Sequence, residues 1–158
     1  MFESGIIIAI IGAAICAILA CTGSAIGVMS AGKASAGVVS EKPELFGKLL
    51  ILQALPATQG IYGFLTAILL MVRIGLLGGG AVDLSIMQGW QIFFAVMPIG
   101  FVGLFSAVCQ GNAAVAAIHM VAKQPDSSGK GITMTALVET YAILALLVSI
   151  LLLYGIQI

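Results

Sequence analysis

Four uninterrupted apolar runs, each about twenty residues or longer, fill almost the whole of this 158-residue chain. No water-facing fold can hide that much continuous apolar surface. Only 8% of the residues are charged while 61% are hydrophobic, against roughly 25% charged in a typical soluble domain. The solvent for most of the chain is therefore lipid, in agreement with a mean hydropathy of +1.23. Lipid offers no hydrogen bonds to an exposed backbone, so a spanning chain must be helical or a closed barrel. Barrel strands alternate apolar and polar residues. These runs do not alternate, and they are long enough to cross a hydrocarbon core of about 30 Å as helices. An all-α membrane bundle of four transmembrane helices is expected.

The first run extends from about Gly5 to Val39 and closes at Glu41-Lys42-Pro43-Glu44. The second covers about Leu45 to Ile74, before the glycine-rich stretch Gly75 to Asp83. The third spans about Met87 to Ala122 and is broken by Lys123 to Gly129; the fourth runs from about Lys130 onward. The start carries Glu3 and no basic segment, and its apolar run is too long for a signal peptide, so it reads as a first spanning helix. Basic residues set the orientation. Lys33, Lys42 and Lys48 surround the first connection and Lys123 and Lys130 the last, with Arg73 alone on the other side beside Glu3 and Asp83. The loops near 41–44 and 123–130 should be cytoplasmic, with both termini and the middle loop outside.

Shifting the chain against itself by 82 residues superposes Ser24-Ala25 on Ser106-Ala107, Pro43 on Pro125 and Gly47-Lys48 on Gly129-Lys130. Thr58 falls on Thr140, and Ile68-Leu69-Leu70 on Ile150-Leu151-Leu152. Apolar composition alone does not align proline and Gly-Lys pairs at two loops. The chain reads as two helical hairpins fused in tandem: residues 1–74, an outward glycine-rich loop at 75–86, and residues 87–158. In this register the partner of Glu139 is Ala57, so the first hairpin has no membrane carboxylate.

Small residues recur at four-residue spacing in helix 1 (Gly23, Gly27, Ala31, Ser35) and helix 3 (Gly103, Ala107, Gly111). Such stripes let membrane helices approach closely, whether within one chain or in an inner ring of many copies. Cys16, Cys21 and Cys109 lack metal-ligand spacing and read as small packing residues. His119 reads as a surface histidine.

Of six acidic residues, Glu139 alone lies inside a span. A charge there is costly, and intramembrane acids mark functional sites by default. At comparable depth, helix 2 offers Thr58, Gln59 and Tyr62, and helix 3 offers Gln110. Pro56 lacks an amide hydrogen and should kink helix 2, freeing a carbonyl, nominally that of Leu52. Several neutral oxygens and one carboxylate suit a monovalent cation, whereas a proton needs only the carboxylate. The surplus of oxygens favours Na+, with H+ as the alternative.

The segment Leu50 to Phe64, with its Leu-Pro-Ala-Thr-Gln-Gly core, resembles helix 2 of the proteolipid subunit (subunit K) of bacterial V-type sodium ATPases. Gly103-Leu104-Phe105-Ser106 with Gln110-Gly111, and Val138-Glu139-Thr140-Tyr141, resemble its helices 3 and 4. The resemblance implies a membrane ring of identical copies turning against a stator subunit with an essential Arg, with central-stalk subunits at the cytoplasmic loops. It also implies Na+ bound by the side chains of Thr58, Gln59, Gln110 and Glu139 and the Leu55 carbonyl, with Tyr62 hydrogen-bonded to the carboxylate. ATP would be hydrolysed by a separate head. The sequence contains no Walker A pattern, so no nucleotide is expected on this chain, and no nucleic-acid partner. Two other classes fit a duplicated hairpin with one acid: a small secondary transporter, which needs polar residues along a whole path, and a structural pore indifferent to Glu139. The polarity here is concentrated at one depth, which speaks against a path.

Overall fold

The computed structural model describes residues 4–80 and 82–158; Glu3, an outward-side charge in the sequence, lies outside them. Within the described residues all regular structure is helical, and four helical stretches are long and apolar enough to cross a membrane. The first is one helix, α1 (Ser4–Glu41). The second begins with a 3₁₀ turn at Pro43–Leu45 and runs through α2 (Phe46–Ala54) and α3 (Thr58–Arg73). The third is α4 (Ile86–Lys123). The fourth starts with a 3₁₀ turn at Pro125–Ser127 and runs through α5 (Ser128–Ala136) and α6 (Glu139–Gly155).

The duplication is written into this geometry. The bounds of α1 and α4, of the two proline-led turns, and of α2 and α5 each differ by the same 82 residues seen in the sequence. Both even-numbered spans are also interrupted at matching places. A 3₁₀ turn at Leu55–Ala57 separates α2 from α3, and a turn at Leu137–Val138 separates α5 from α6. Pro56 accounts for the first break, since it removes a helical donor. Its counterpart, Val138, is no proline, so the second break arises without one.

Local chemistry explains the ends. Ser85 opens α4 as a capping box: its hydroxyl accepts from the Gln88 amide at 3.2 Å, and Gln88 Oε1 accepts from the Ser85 amide at 3.0 Å. Gly75 and Gly79 take positive φ (75° and 81°) in the loop between the two hairpins, a region costly for other residues. At the opposite end, Lys42 Nζ donates to the Ala122 carbonyl at 2.6 Å and Lys48 Nζ to that of Pro125 at 2.9 Å. These two lysines thus satisfy one carbonyl in the last turn of α4 and one in the turn that follows it.

Packing follows the small-residue stripes. A side chain at Gly23 would strike the backbone of Leu104, and one at Gly27 that of Ala107, so α1 and α4 lie backbone against backbone within one chain. Two buried clusters flank this seam. One includes Leu70, Ile92 and Ile99 toward the middle loop; the other includes Leu49, Leu52 and Ile118 near the lysine loops. Much of what remains outside is apolar, such as Ile61, Phe64, Leu144 and Leu151, as lipid-facing surface must be. Pro98 lies inside α4, and the next amide, Ile99 N–H, donates to the buried Ser149 hydroxyl at 3.1 Å. The Cys16 and Cys21 thiols face the Gly63 and Gly60 carbonyls at 3.8 and 3.7 Å, and His119 is exposed.

The seam yields a prediction. A Cβ at Gly111 would stand 2.5 Å from the Cα of Gly27, whereas nothing lies within 4 Å of one at Gly37. Gly111→Ala should lower the stability of the purified chain by about 1–3 kcal/mol, as overpacking does. Gly37→Ala should leave it unchanged or raise it by about 1 kcal/mol through helix propensity. Thermal unfolding in detergent distinguishes the two; equal melting temperatures would refute the close approach.

Candidate functional site

The breaks in the second and fourth spans lie at the depth of the polar residues, and α4 supplies their bridge. On the second span, the 3₁₀ turn turns the Leu55 carbonyl toward Thr58, which donates both its amide and, at 3.1 Å, its hydroxyl. The sequence points to the Leu52 carbonyl as the one freed by Pro56; the carbonyl engaged beside the polar residues is that of Leu55, three residues later. The turn tightens around Pro56 and brings Leu55 into reach of the hydroxyl. Gln59 Oε1 lies 3.3 Å from the same hydroxyl. Two acceptors, Leu55 O and Gln59 Oε1, therefore compete for the single hydroxyl proton of Thr58.

A chain of amides fixes which way these oxygens face. Gln110 Nε2 donates to the Thr135 carbonyl at 3.2 Å, and Gln110 Oε1 accepts from Gln59 Nε2 at 2.6 Å. Gln59 Oε1 is thereby turned to Thr58. Both glutamines are fully buried, where an unpaired amide would cost about 1–3 kcal/mol. Ser106 joins the set: its hydroxyl lies 3.4 Å from Gln59 Nε2 and donates to the Val138 carbonyl at 3.3 Å. The carbonyls of Thr135 and Val138, around the break before α6, are thus tied to α4.

Glu139 is the first residue of α6, where the positive end of the helix favours a carboxylate. Its Oε1 accepts from the Tyr62 hydroxyl at 2.5 Å. Tyr62 stands one turn beyond Thr58 on the same face of α3. The fold thus joins Leu55, Thr58, Gln59 and Gln110 in one hydrogen-bonded set and ties Glu139 to the neighbouring turn of the same helix. Two contributors, Ser106 and Thr135, carry no local sequence signal for such a role; the alignment of Ser106 with Ser24 across the repeat is the nearest hint. Ser24 Oγ accepts from the Gly60 amide at 2.7 Å, bracing α3 where Ser106, by donating to a carbonyl, braces the start of α6.

The repeat shows what is special about the second half. Thr140, the counterpart of Thr58, donates to the Leu137 carbonyl at 2.8 Å, as Thr58 does to Leu55. The broken helix and its hydroxyl–carbonyl bond occur twice, while Ala57 stands in the first copy where Glu139 stands in the second.

These features define a multi-pass membrane protein of two fused helical hairpins, with a carboxylate hydrogen-bonded to a neighbouring span one turn from a set of neutral oxygens. Comparison with known proteins places it further. The family of the ATP synthase C subunit matches residues 11–70 and again 93–152, two stretches offset by the same 82 residues. Among relatives, the V-type sodium ATPase subunit K of Enterococcus hirae is 44% identical over 150 residues, covering 95% of this chain and 92% of its own. The A-type ATP synthase subunit K of Methanocaldococcus jannaschii is 40% identical over 151 residues, and the match spans 96% of this chain and 64% of that longer protein. The chain belongs to the ATP synthase C-subunit family, as a V-type proteolipid in which the family's hairpin occurs twice.

Because Tyr62 makes the hydrogen bond to the carboxylate, Tyr62→Phe should free Glu139 and speed its modification by a membrane-permeant carbodiimide severalfold, without changing helix content. Mass spectrometry of the labelled chain and circular dichroism measure both. An unchanged labelling rate would mean that the Tyr62 bond does not restrain the acid.

Proposed function

We propose that this chain is the ion-carrying rotor subunit of a V-type ATPase, moving Na+ across the membrane on Glu139. The observation that carries this reading is the oxygen cluster: Leu55 O, Thr58 Oγ1 and Gln59 Oε1 crowd around one hydroxyl proton. Lone pairs brought together with too few hydrogens are relieved by a cation, which exchanges its hydration shell for such oxygens. Gln110 would contribute the second lone pair of its Oε1, and Glu139 the negative charge that makes the loaded site neutral. Tyr62 would hold one carboxylate oxygen and leave the other for the ion. The sodium ATPase named among the relatives supports Na+ as cargo.

Copies of the chain would form a ring in the bilayer. Each copy would comprise a first hairpin (1–74), an outward loop (75–86) and a second hairpin (87–158). Both termini would lie outside, and the loops near 41–44 and 123–130 would meet the central stalk in the cytoplasm. Facing lipid, Glu139 must be neutralised, because a bare charge in hydrocarbon is too costly. At the stator, an Arg of that subunit would take the ion's place beside the carboxylate, and the next step would admit a new ion from the other side. ATP hydrolysis in a separate head drives the rotation, so this chain performs no catalysis and binds no nucleotide.

One observation favours the proton as cargo instead. Gln110 Oε1 already accepts a short 2.6 Å bond from Gln59, so fewer oxygens stand open than the full ligand set requires. The two readings separate experimentally. In the assembled complex, Glu139→Gln should abolish ion transport and sodium-stimulated ATP hydrolysis; retained pumping would overturn the rotor reading. Saturating Na+ at constant pH should protect Glu139 from carbodiimide, and Thr58→Ala or Gln110→Ala should raise the Na+ concentration needed. Protection by raised pH but never by Na+ would assign the proton.

A further inference from the structure

Several hydroxyls inside these helices give their proton to their own backbone. Ser30, Thr66 and Thr133 each donate to the carbonyl four residues earlier, at 2.9, 2.8 and 3.0 Å, a common choice for a helical hydroxyl. Ser106 does not. It is buried in the middle of α4 and donates across to the fourth span, to the Val138 carbonyl at 3.3 Å. Val138 immediately precedes Glu139 and caps α6. Toward the second span, Ser106 Oγ lies 3.4 Å from Gln59 Nε2. The approach depends on Gly103, one turn earlier, where an added Cβ would already stand 3.8 Å from the Gln59 carbonyl oxygen and 3.1 Å from the Ala20 Cβ.

The direction of these bonds matters more than their number. A hydroxyl has one proton and two lone pairs. The Val138 carbonyl can only accept, so it takes the proton, and Ser106 has a lone pair left for Gln59. The Nε2 end of that carboxamide is therefore the end that faces Ser106. Gln110 acts in the same sense: its Nε2 is committed to the Thr135 carbonyl, and its Oε1 accepts from Gln59 Nε2 at 2.6 Å. Both hydrogens of Gln59 Nε2 are thereby engaged, which leaves Gln59 Oε1 toward Thr58, 3.3 Å from its hydroxyl. Turned end for end, the carboxamide would set its oxygen against the Gln110 oxygen and the Ser106 lone pair. Gln59 is fully buried, with no water to relieve that clash. Ser24, the repeat counterpart of Ser106, bonds to the backbone amide of Gly60 instead.

We propose that Ser106 is a positioning residue for the cation: it relays the polarity of the Val138 carbonyl to the Gln59 carboxamide and so keeps Gln59 Oε1 aimed at the ion. The inference rests on the Na+ reading and deepens it, by making Na+ affinity depend on a hydroxyl outside the ligand set. Without that hydroxyl, Gln59 keeps Gln110 as its one acceptor, and its oxygen is free to turn away from Thr58. A proton on Glu139 makes no demand on Gln59. Ser106 thus raises the affinity for Na+ alone and helps the site to prefer it over H+.

Sodium-stimulated ATP hydrolysis by the assembled complex, measured against Na+ concentration, tests this role. Ser106→Ala should raise the half-saturating Na+ concentration about tenfold, as loss of one buried hydrogen bond does, and keep the maximal rate at saturating Na+. Ser106→Thr, which retains the hydroxyl, should restore the wild-type value. Ser149→Ala removes another buried hydroxyl that joins α4 to α6. It should lower the thermal stability of the assembly and leave the half-saturating Na+ concentration unchanged. Where Ser106→Ala fails to assemble, Ser106→Cys reads the same role at nearly native volume. Its thiol bonds only weakly, so the half-saturating concentration should rise severalfold. An assembled Ala or Cys variant with wild-type half-saturating Na+, whether or not its maximal rate falls, overturns the positioning role and leaves the Na+ reading standing. A wild-type complex whose ATP hydrolysis ignores Na+ removes both.

Discussion

An ionised carboxylate in the middle of a bilayer costs at least about 2.5–3.5 kcal/mol on insertion scales, and this structure is organised around meeting that cost at one residue. Glu139 is given a hydroxyl from Tyr62 and the positive end of α6. The break just before it is fastened to α4 through Ser106 and Gln110. Those fastenings hold only if α4 is itself fixed, and it is fixed by the glycine seam with α1. Gly23, Gly27 and Gly111 let α1 and α4 touch, and Gly60 and Gly63 let α3 lie against α1, so α1 sets the separation across which Gln59 and Gln110 meet. The packing link and the chemical link are thus one chain of cause.

Duplication followed by divergence explains the asymmetry. Both halves keep the broken helix and the threonine hydroxyl on the leucine carbonyl three residues before it. Ala57 removes the charge from one half. Tyr62 and Gln110 have the apolar counterparts Leu144 and Val28, so the image of the site around Ala57 lacks these partners as well as the acid. Four spans are thereby built around a single carboxylate.

The spans, the repeat and the acid are legible in the sequence because each leaves a local or periodic mark: continuous apolar runs, Pro and Gly-Lys recurring at a fixed offset, and one Glu amid Val, Leu and Ala. The helix breaks are legible only in part. Pro56 announces the first, although the carbonyl it brings into play is that of Leu55 and not that of Leu52, since a 3₁₀ turn shifts the geometry by three residues. Nothing local announces the second break at Leu137–Val138, which is stabilised by partners on another helix. The same holds for Ser149 beneath the Ile99 amide, and for Arg73, which donates to the Ile156 carbonyl and lies 4.8 Å from the centre of the Tyr154 ring. Contacts between residues 25 or more positions apart depend on helix rotation and spacing, and a single sequence does not display those.

The central claim is that one acid per chain is always masked, by a proton or by the ion that replaces it. Infrared difference spectroscopy of the purified oligomer, combined with equilibrium binding of radioactive Na+ at a pH where the site starts protonated, tests this directly. The account predicts loss of one protonated-carboxyl band as Na+ is added, with one Na+ bound per chain. Two ions per chain, or Na+ binding that leaves the carboxyl band untouched, would contradict it.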